Sequence, residues 1–191
     1  MSANPKHYFT LNEYLAVDKV SEARLEYWDG DIICVNGQTK EHAMISSTVA
    51  GELHNRLKNQ VHEAFICTLH IKTPTLPPYR YADASVSCGK AIFEHFKGQD
   101  LLVNPIVLVE VISEHTDSHD RTEKFEAYKA IETMQEYLLI EQKMPHVTHY
   151  IKQESGNWKR FDTADLTATL TLNSISCTLS LQDIYDGIEF N

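Results

Sequence analysis

A single acidic residue, Glu110, interrupts the apolar run Ile106-Val107-Leu108-Val109-Glu110-Val111-Ile112. Such a run predicts a central strand covered on both faces. A carboxylate inside it must be paired, protonated or bound to a metal, because burying it alone costs several kcal/mol. Taken by itself, Glu110 could sit at the strand's exposed end or meet one arginine. Asp83 alters that reading. It falls on a preceding strand after Tyr81-Ala82, and carboxylates on neighbouring strands can face the same space. Hard oxygen donors of this kind suit Mg²⁺ or Mn²⁺, which keep some water and leave room for a phosphate. Lys124 is the third member. In the helix that follows, Phe125, Tyr128 and Ile131 mark a buried side, and Lys124 lies beside it, four residues from Tyr128. Its plain alternative is an Asp120–Lys124 helix ion pair, worth about 0.2–0.5 kcal/mol. Turned inward, it would orient an attacking water and stabilise charge on phosphoryl oxygens.

Two further residues join the set. Glu26, in Arg24-Leu25-Glu26-Tyr27-Trp28-Asp29-Gly30, could hold a metal-bound water, or pair with Arg24 or a lysine. His42 opens a long helix, a position more usual for a surface or packing residue. The chemistry that unites these groups is metal-assisted phosphodiester hydrolysis. A cation reverses the repulsion between carboxylates and an anionic diester, polarises the phosphoryl oxygen and makes a hydroxide-like nucleophile from water. A separate zinc site at His115 and His119, at i, i+4 spacing, lacks an apparent upstream ligand.

The elements that must position these residues follow from periodicity and turn chemistry. Thr10 caps a short helix to Val17, and Arg24–Trp28 and Ile32–Val35 read as strands joined at Asp29-Gly30. Thr39 caps a helix to about Val61, with Met44, Ile45, Val49, Leu53 and Leu57 as its apolar stripe. Ala64–Lys72 and Tyr81–Cys88 read as strands, separated by a loop with Pro74, Pro77 and Pro78. A loop with Gly98 and Pro105 leads to the Glu110 strand. A helix from Ser118 or Asp120 to about Ile131 and a strand Tyr137–Ile140 come next. Val147–Ile151 and Trp158–Phe161 form a hairpin, two short strands lie near Leu170 and Ile175, and Ser180 caps a turn from Leu181 to Tyr185. The pattern is an α/β domain with a mixed sheet and a β-rich C-terminal part.

The bulk numbers agree with that class. A chain of 191 residues favours one domain and can bury a core without disulfides. Cys34, Cys67, Cys88 and Cys177 are too far apart for a zinc knuckle and read as reduced, structural residues. No apolar run approaches the roughly 20 residues that span a bilayer, and Met1 to Thr10 lack a signal core, so the expected location is the cytoplasm. The formal charge of −10, with scattered basic residues, opposes simple phosphate binding by a basic face. A bound metal offsets part of that objection.

The order Asp83, Glu110-Val111-Ile112, Lys124 resembles the PD-(D/E)xK nuclease superfamily, and within it the Uma-type putative restriction endonuclease family. The carrying segments are Arg24–Gly30, Glu41-His42-Ala43, Tyr81–Val86, Asn104–Ser113 and Asp120–Tyr128. The resemblance implies a restriction-endonuclease-like fold over residues 1–191, with a nuclease core at about 10–150 and a β-rich extension at 151–191. It implies that Asp83 and Glu110 bind Mg²⁺ or Mn²⁺ with help from the Val111 carbonyl. Lys124 would be the migrated lysine, Ile112 standing where many members keep it, and Glu26 the N-terminal acidic residue. The implied activity is DNA endonucleolysis, and the implied assembly a homodimer. The family's usual Pro-Asp is Ala82-Asp83 here, which loosens the approach to the strand but keeps the carboxylate. With the acidic balance, that departure motivates an alternative: a non-catalytic binding or regulatory module on the same fold.

Overall fold

Thr10 starts the first helix with a capping box. Its hydroxyl accepts from the Glu13 N–H at 3.3 Å, and the Glu13 carboxylate accepts from the Thr10 N–H at 2.7 Å. Two orphan donors of the helix start are thereby satisfied. The computed structural model describes residues 8–28, 30–34, 39–66, 68–112 and 120–190, in two compact units, residues 1–38 and 39–191. Asp29, Val35, Cys67, Ser113, His115, Ser118 and His119 lie outside the described residues. In the first unit, α1 (Leu11–Asp18) is followed by an antiparallel hairpin of β1 (Leu25–Trp28) and β2 (Asp31–Cys34). Gly30 has φ +88° in its turn, a conformation that favours glycine.

The second unit begins with α2 (Lys40–Leu57), capped by Thr39, whose hydroxyl accepts from the His42 N–H. Ile45, Val49, Leu53 and Leu57 form its buried stripe, whereas Met44 is only partly buried. The helix ends four residues before the expected Val61, because Lys58 turns extended and Asn59 takes a positive φ. The expected strand Ala64–Lys72 is two strands, β3 (Ala64–Ile66) and β4 (His70–Lys72). The expected strand Tyr81–Cys88 is likewise β5 (Tyr79–Tyr81) and β6 (Ala84–Ser87). Both pairs change sheets: β3 and β6 belong to a six-stranded sheet, β4 and β5 to a four-stranded one. Period-two patterning continues through such a joint, so the joint is invisible in sequence. The segment read as a loop holds a hairpin of β7 (Phe93–Phe96) and β8 (Gln99–Leu102). Its turn, Lys97-Gly98, has positive φ at both positions, the geometry that matches the twist of a two-residue hairpin.

The eight residues of β9 (Pro105–Ile112) are all buried. A π-helical turn, Asp120–Lys124, and α3 (Phe125–Lys129) lead to β10 (Glu136–Glu141), which pairs in parallel with β9. Parallel pairing requires a crossover of this kind. β11 (Val147–Lys152) and β12 (Trp158–Thr163) complete the six-stranded order β12-β11-β10-β9-β6-β3. β13 (Thr169–Leu172) and β14 (Cys177–Ser180) form a hairpin, and α4 (Leu181–Ile184) is capped by Ser180. Ile175 lies in the 3₁₀ turn between these strands rather than in a strand.

The six-stranded sheet separates two apolar layers. Val107, Val109 and Val111 join the α2 stripe, Leu172, Leu179 and Leu181 on one side. Leu108 and Ile112 join Ile71, Leu102, Phe125, Tyr128 and Leu139 on the other. Glu110 alternates with Leu108 and Ile112, so it enters the second layer. Of the described cysteines, all free, only Cys177 is buried, and burial pushes its thiol pKa up. Cys34, the last residue of β2, and Cys88, just past the end of β6, are exposed. Among the described residues no helix is long and apolar enough to cross a membrane.

Leu53, on the buried stripe of α2, is fully buried. Leu53→Ala is expected to cost about 2–5 kcal/mol and Thr39→Ala about 0.5–2 kcal/mol, read as shifts in the urea midpoint at unchanged m.

Candidate functional site

The crossover from β9 to β10 sets Lys124 above Glu110. Bonds of the i→i+5 type widen the turn at Asp120–Lys124, a distortion found often at functional sites. Lys124 Nζ lies 3.1 Å from Glu110 Oε1 and 3.3 Å from Asp120 Oδ1, with all three side chains buried. The Asp120–Lys124 pair thus exists, but inside the protein, and Lys124 also points inward to Glu110. Tyr128 Oη lies 3.0 Å from Glu110 Oε1 and 2.9 Å from the Tyr81 carbonyl oxygen. Its one proton serves two acceptors and ties Glu110 to the end of β5. Tyr137 donates to the Asp120 carbonyl at 3.1 Å. Burial, then the negative charges of Glu110 and Asp120, hold its phenol pKa well above the ordinary value. Arg121 anchors the same turn to the sheet through Glu141, at 2.6 Å.

Asp83 occupies the joint where the chain passes from β5 to β6. Its N–H donates to the Val109 carbonyl at 3.0 Å, one residue before the β6–β9 ladder begins. The Val111 N–H has no strand partner there, and Asp83 Oδ2 accepts it at 2.8 Å. A residue's N–H and C=O share one strand edge, so the Val111 carbonyl is also on the Asp83 side. His42 Nε2 approaches Asp83 Oδ2 to 3.2 Å, and His42 Nδ1 lies 3.1 Å from Ser46 Oγ. The tautomer with its proton on Nε2 satisfies both contacts. Burial would raise the Asp83 carboxyl. The His42 contact, the Val111 N–H and the charge of Lys124 outweigh it and hold the group below the ordinary carboxylate range.

The family model "Uma2, putative restriction endonuclease" matches residues 11–182. The chain belongs to this family. An uncharacterized Synechocystis protein, slr1290, is 29% identical over 180 residues, covering 93% of this chain and 92% of its own length. A second, sll1609, is 28% identical over 149 residues, covering 78% and 84%. A crystal structure described as a putative nuclease belonging to DUF820, from Anabaena variabilis, superposes with a TM-score of 0.71. It is 20% identical, and the alignment covers 95% of this chain and 99% of that one, which establishes the fold as restriction-endonuclease-like.

In this Uma2 member, the donors that could serve a divalent ion are Asp83, Glu110 and the Val111 carbonyl. Asp83 Oδ2 is committed to Val111 and His42, while Oδ1 accepts from no described residue and is not sealed from solvent. Among the described residues, no three His, Cys, Asp or Glu side chains gather as a ready-made cage. Two carboxylates, a backbone carbonyl and water are what Mg²⁺ or Mn²⁺ accepts, since these ions retain water and need no closed protein cage. Asp83, Glu110 and Val111 therefore fit such an ion. Glu26 belongs to the first unit, on β1. It is buried, and its Oε2 accepts from the Trp28 indole N–H at 3.0 Å, a partner not expected from sequence. Sequence reasoning ranked His42 low and left out Tyr128 as a Glu110 partner. The i, i+4 pair His42–Ser46 and the spacing of Tyr128 from Lys124 were the available signals.

The folded Asp83 carboxyl titrates below its unfolded value of about 3.9. Its contribution is present above that value and lost as pH falls through the folded one. In EDTA, the wild-type melting temperature should fall more steeply below about pH 4 than that of Asp83→Asn, as read by differential scanning fluorimetry.

Proposed function

We propose that this chain is a divalent-metal-dependent endonuclease that hydrolyses DNA phosphodiester bonds. The observation that carries the reading is Lys124 Nζ held at 3.1 Å from Glu110 Oε1, within a layer whose lysine charge also reaches Asp83. Asp83, Glu110 and the Val111 carbonyl would hold the ion. When bound, a Mg²⁺ or Mn²⁺ supplies Lewis acidity toward a phosphoryl oxygen and acidifies a water. Lys124 orients the attacking water and stabilises charge developing on the phosphoryl oxygens. Asp120 holds Lys124 in position in its buried setting. Tyr128 holds the rotamer of Glu110, and His42 with the Val111 N–H holds that of Asp83. Glu26 enters as a fourth acidic member through its match to the family's N-terminal position, and homodimeric assembly through the resemblance alone. An ion at the carboxylates also answers the charge of −10, because it supplies the attraction that a basic face would otherwise give.

A non-catalytic module on the same fold is the second reading, favoured by Ala82 at the joint before Asp83. Calorimetric titration with Mn²⁺ separates the two: binding that requires Asp83 and Glu110 favours the enzyme. Plasmid cleavage with Mg²⁺ or Mn²⁺ is the direct test. Asp83→Asn and Lys124→Ala should each lower the rate at least about 100-fold, with folding verified by circular dichroism. Equal background cutting by wild type and both variants would sink the endonuclease reading.

A further inference from the structure

Arg80 stands apart from every other cation in this region. It sits on β5, opposite Ile71 of β4, which in turn lies opposite Leu102 of β8. Directly opposed residues share a face. Arg80, Ile71 and Leu102 therefore form one row, and Ile71 and Leu102 pack into the layer of Leu108, Ile112 and Tyr128. That is the layer Glu110 enters. The neighbouring residues Tyr79 and Tyr81 pack their rings on His70 instead, as alternation requires. Arg80 is only 6% exposed, and its Nε and Nη1 are sealed from solvent without a hydrogen-bond partner. Among the described residues no carboxylate pairs with it.

An unpaired guanidinium in this setting is costly, and buried polar groups in native proteins are nearly always satisfied. The layer holds carboxylates, yet Lys124 engages both Glu110 and Asp120. Arg80 is thus not retained to neutralise them. Its charge is left for a group from outside the chain, and an anionic phosphodiester is such a group. Nη2, unlike Nε and Nη1, is not sealed, and it offers a phosphate oxygen a charge-assisted donor. Position agrees with this: Tyr81, the next residue, carries the carbonyl bound by Tyr128, whose hydroxyl also meets Glu110, and Asp83 is three residues on.

We propose that Arg80 is an anion-binding residue, whose guanidinium receives a phosphate oxygen of the substrate's phosphodiester. The proposal rests on the nuclease reading for its substrate, but not for its binding chemistry. The test uses the full chain in two assays. Melting in EDTA is compared in inorganic phosphate and in chloride at equal ionic strength, for wild type, Arg80→Met and Arg80→Lys. Binding of a fluorescein-labelled DNA duplex is followed by anisotropy in Ca²⁺. Phosphate should raise the wild-type melting temperature and leave that of Arg80→Met unmoved, while duplex affinity falls roughly tenfold in Arg80→Met and less in Arg80→Lys. Without phosphate, Arg80→Met should melt no lower than wild type, since an unpaired buried charge is gone. Equal phosphate shifts, or equal duplex affinities, in wild type and Arg80→Met would overturn the proposal. If Arg80→Met melts below the assay temperature, Arg80→Lys takes its place, and an affinity equal to wild type overturns it likewise. Arg80-dependent phosphate binding without plasmid cleavage would remove the nuclease reading and keep the anion site. Cleavage with unchanged binding in the variants would do the reverse.

Discussion

Glu110 carries a carboxylate into β9, a strand buried along its whole length, and its ion pair with Lys124 is what makes that placement tolerable. Two buried charges of opposite sign still lose hydration, so the pair holds only with further hydrogen bonds around it. Asp120 and Tyr128 supply that surround. The cost fixes several other features. The crossover must return over the sheet at this point, Lys124 must point at Glu110, and Tyr128 must face inward. A hydrophobic residue at position 110 would relieve all of these demands. Their convergence on one carboxylate is what the proposed site rests on.

Asp83 obeys a different constraint. Its carboxylate stands in for a strand neighbour, taking the Val111 N–H that β6 stops short of reaching. The acid is therefore held by backbone, and its orientation follows from the joint between two sheets. His42 adds a second hold from α2, on the opposite side of the sheet from Lys124. A side chain from α2 and a backbone N–H of β9 thus converge on one carboxylate. Burial alone would raise its pKa; these contacts, with the charge of Lys124, hold it below the ordinary carboxylate range.

Much of this was legible in the chain. Glu110 stood out because a charge in an apolar run breaks a physical rule. The β9 strand, α1, the Thr39 and Ser180 caps and the β11–β12 hairpin were readable from local signals. The four-stranded sheet was not. Its strands β4 and β5 continue the alternation of β3 and β6, and a change of sheet leaves no mark in period two. The β7–β8 hairpin was missed although Lys97-Gly98 is a plausible turn, because charged residues on an exposed edge mask the alternation.

Residue types and their order determined the candidates: two carboxylates, a lysine and the strand–helix–strand frame that carries them. These follow from burial cost and periodicity, which act along the chain. Only the tertiary structure decided which groups meet. It turned Lys124 onto Glu110 while keeping its helix pair with Asp120, bound His42 to Asp83, and left Arg80 buried without a carboxylate partner among the described residues. Such pairings depend on how separate elements stack across a sheet, and stacking brings together residues that no local spacing connects.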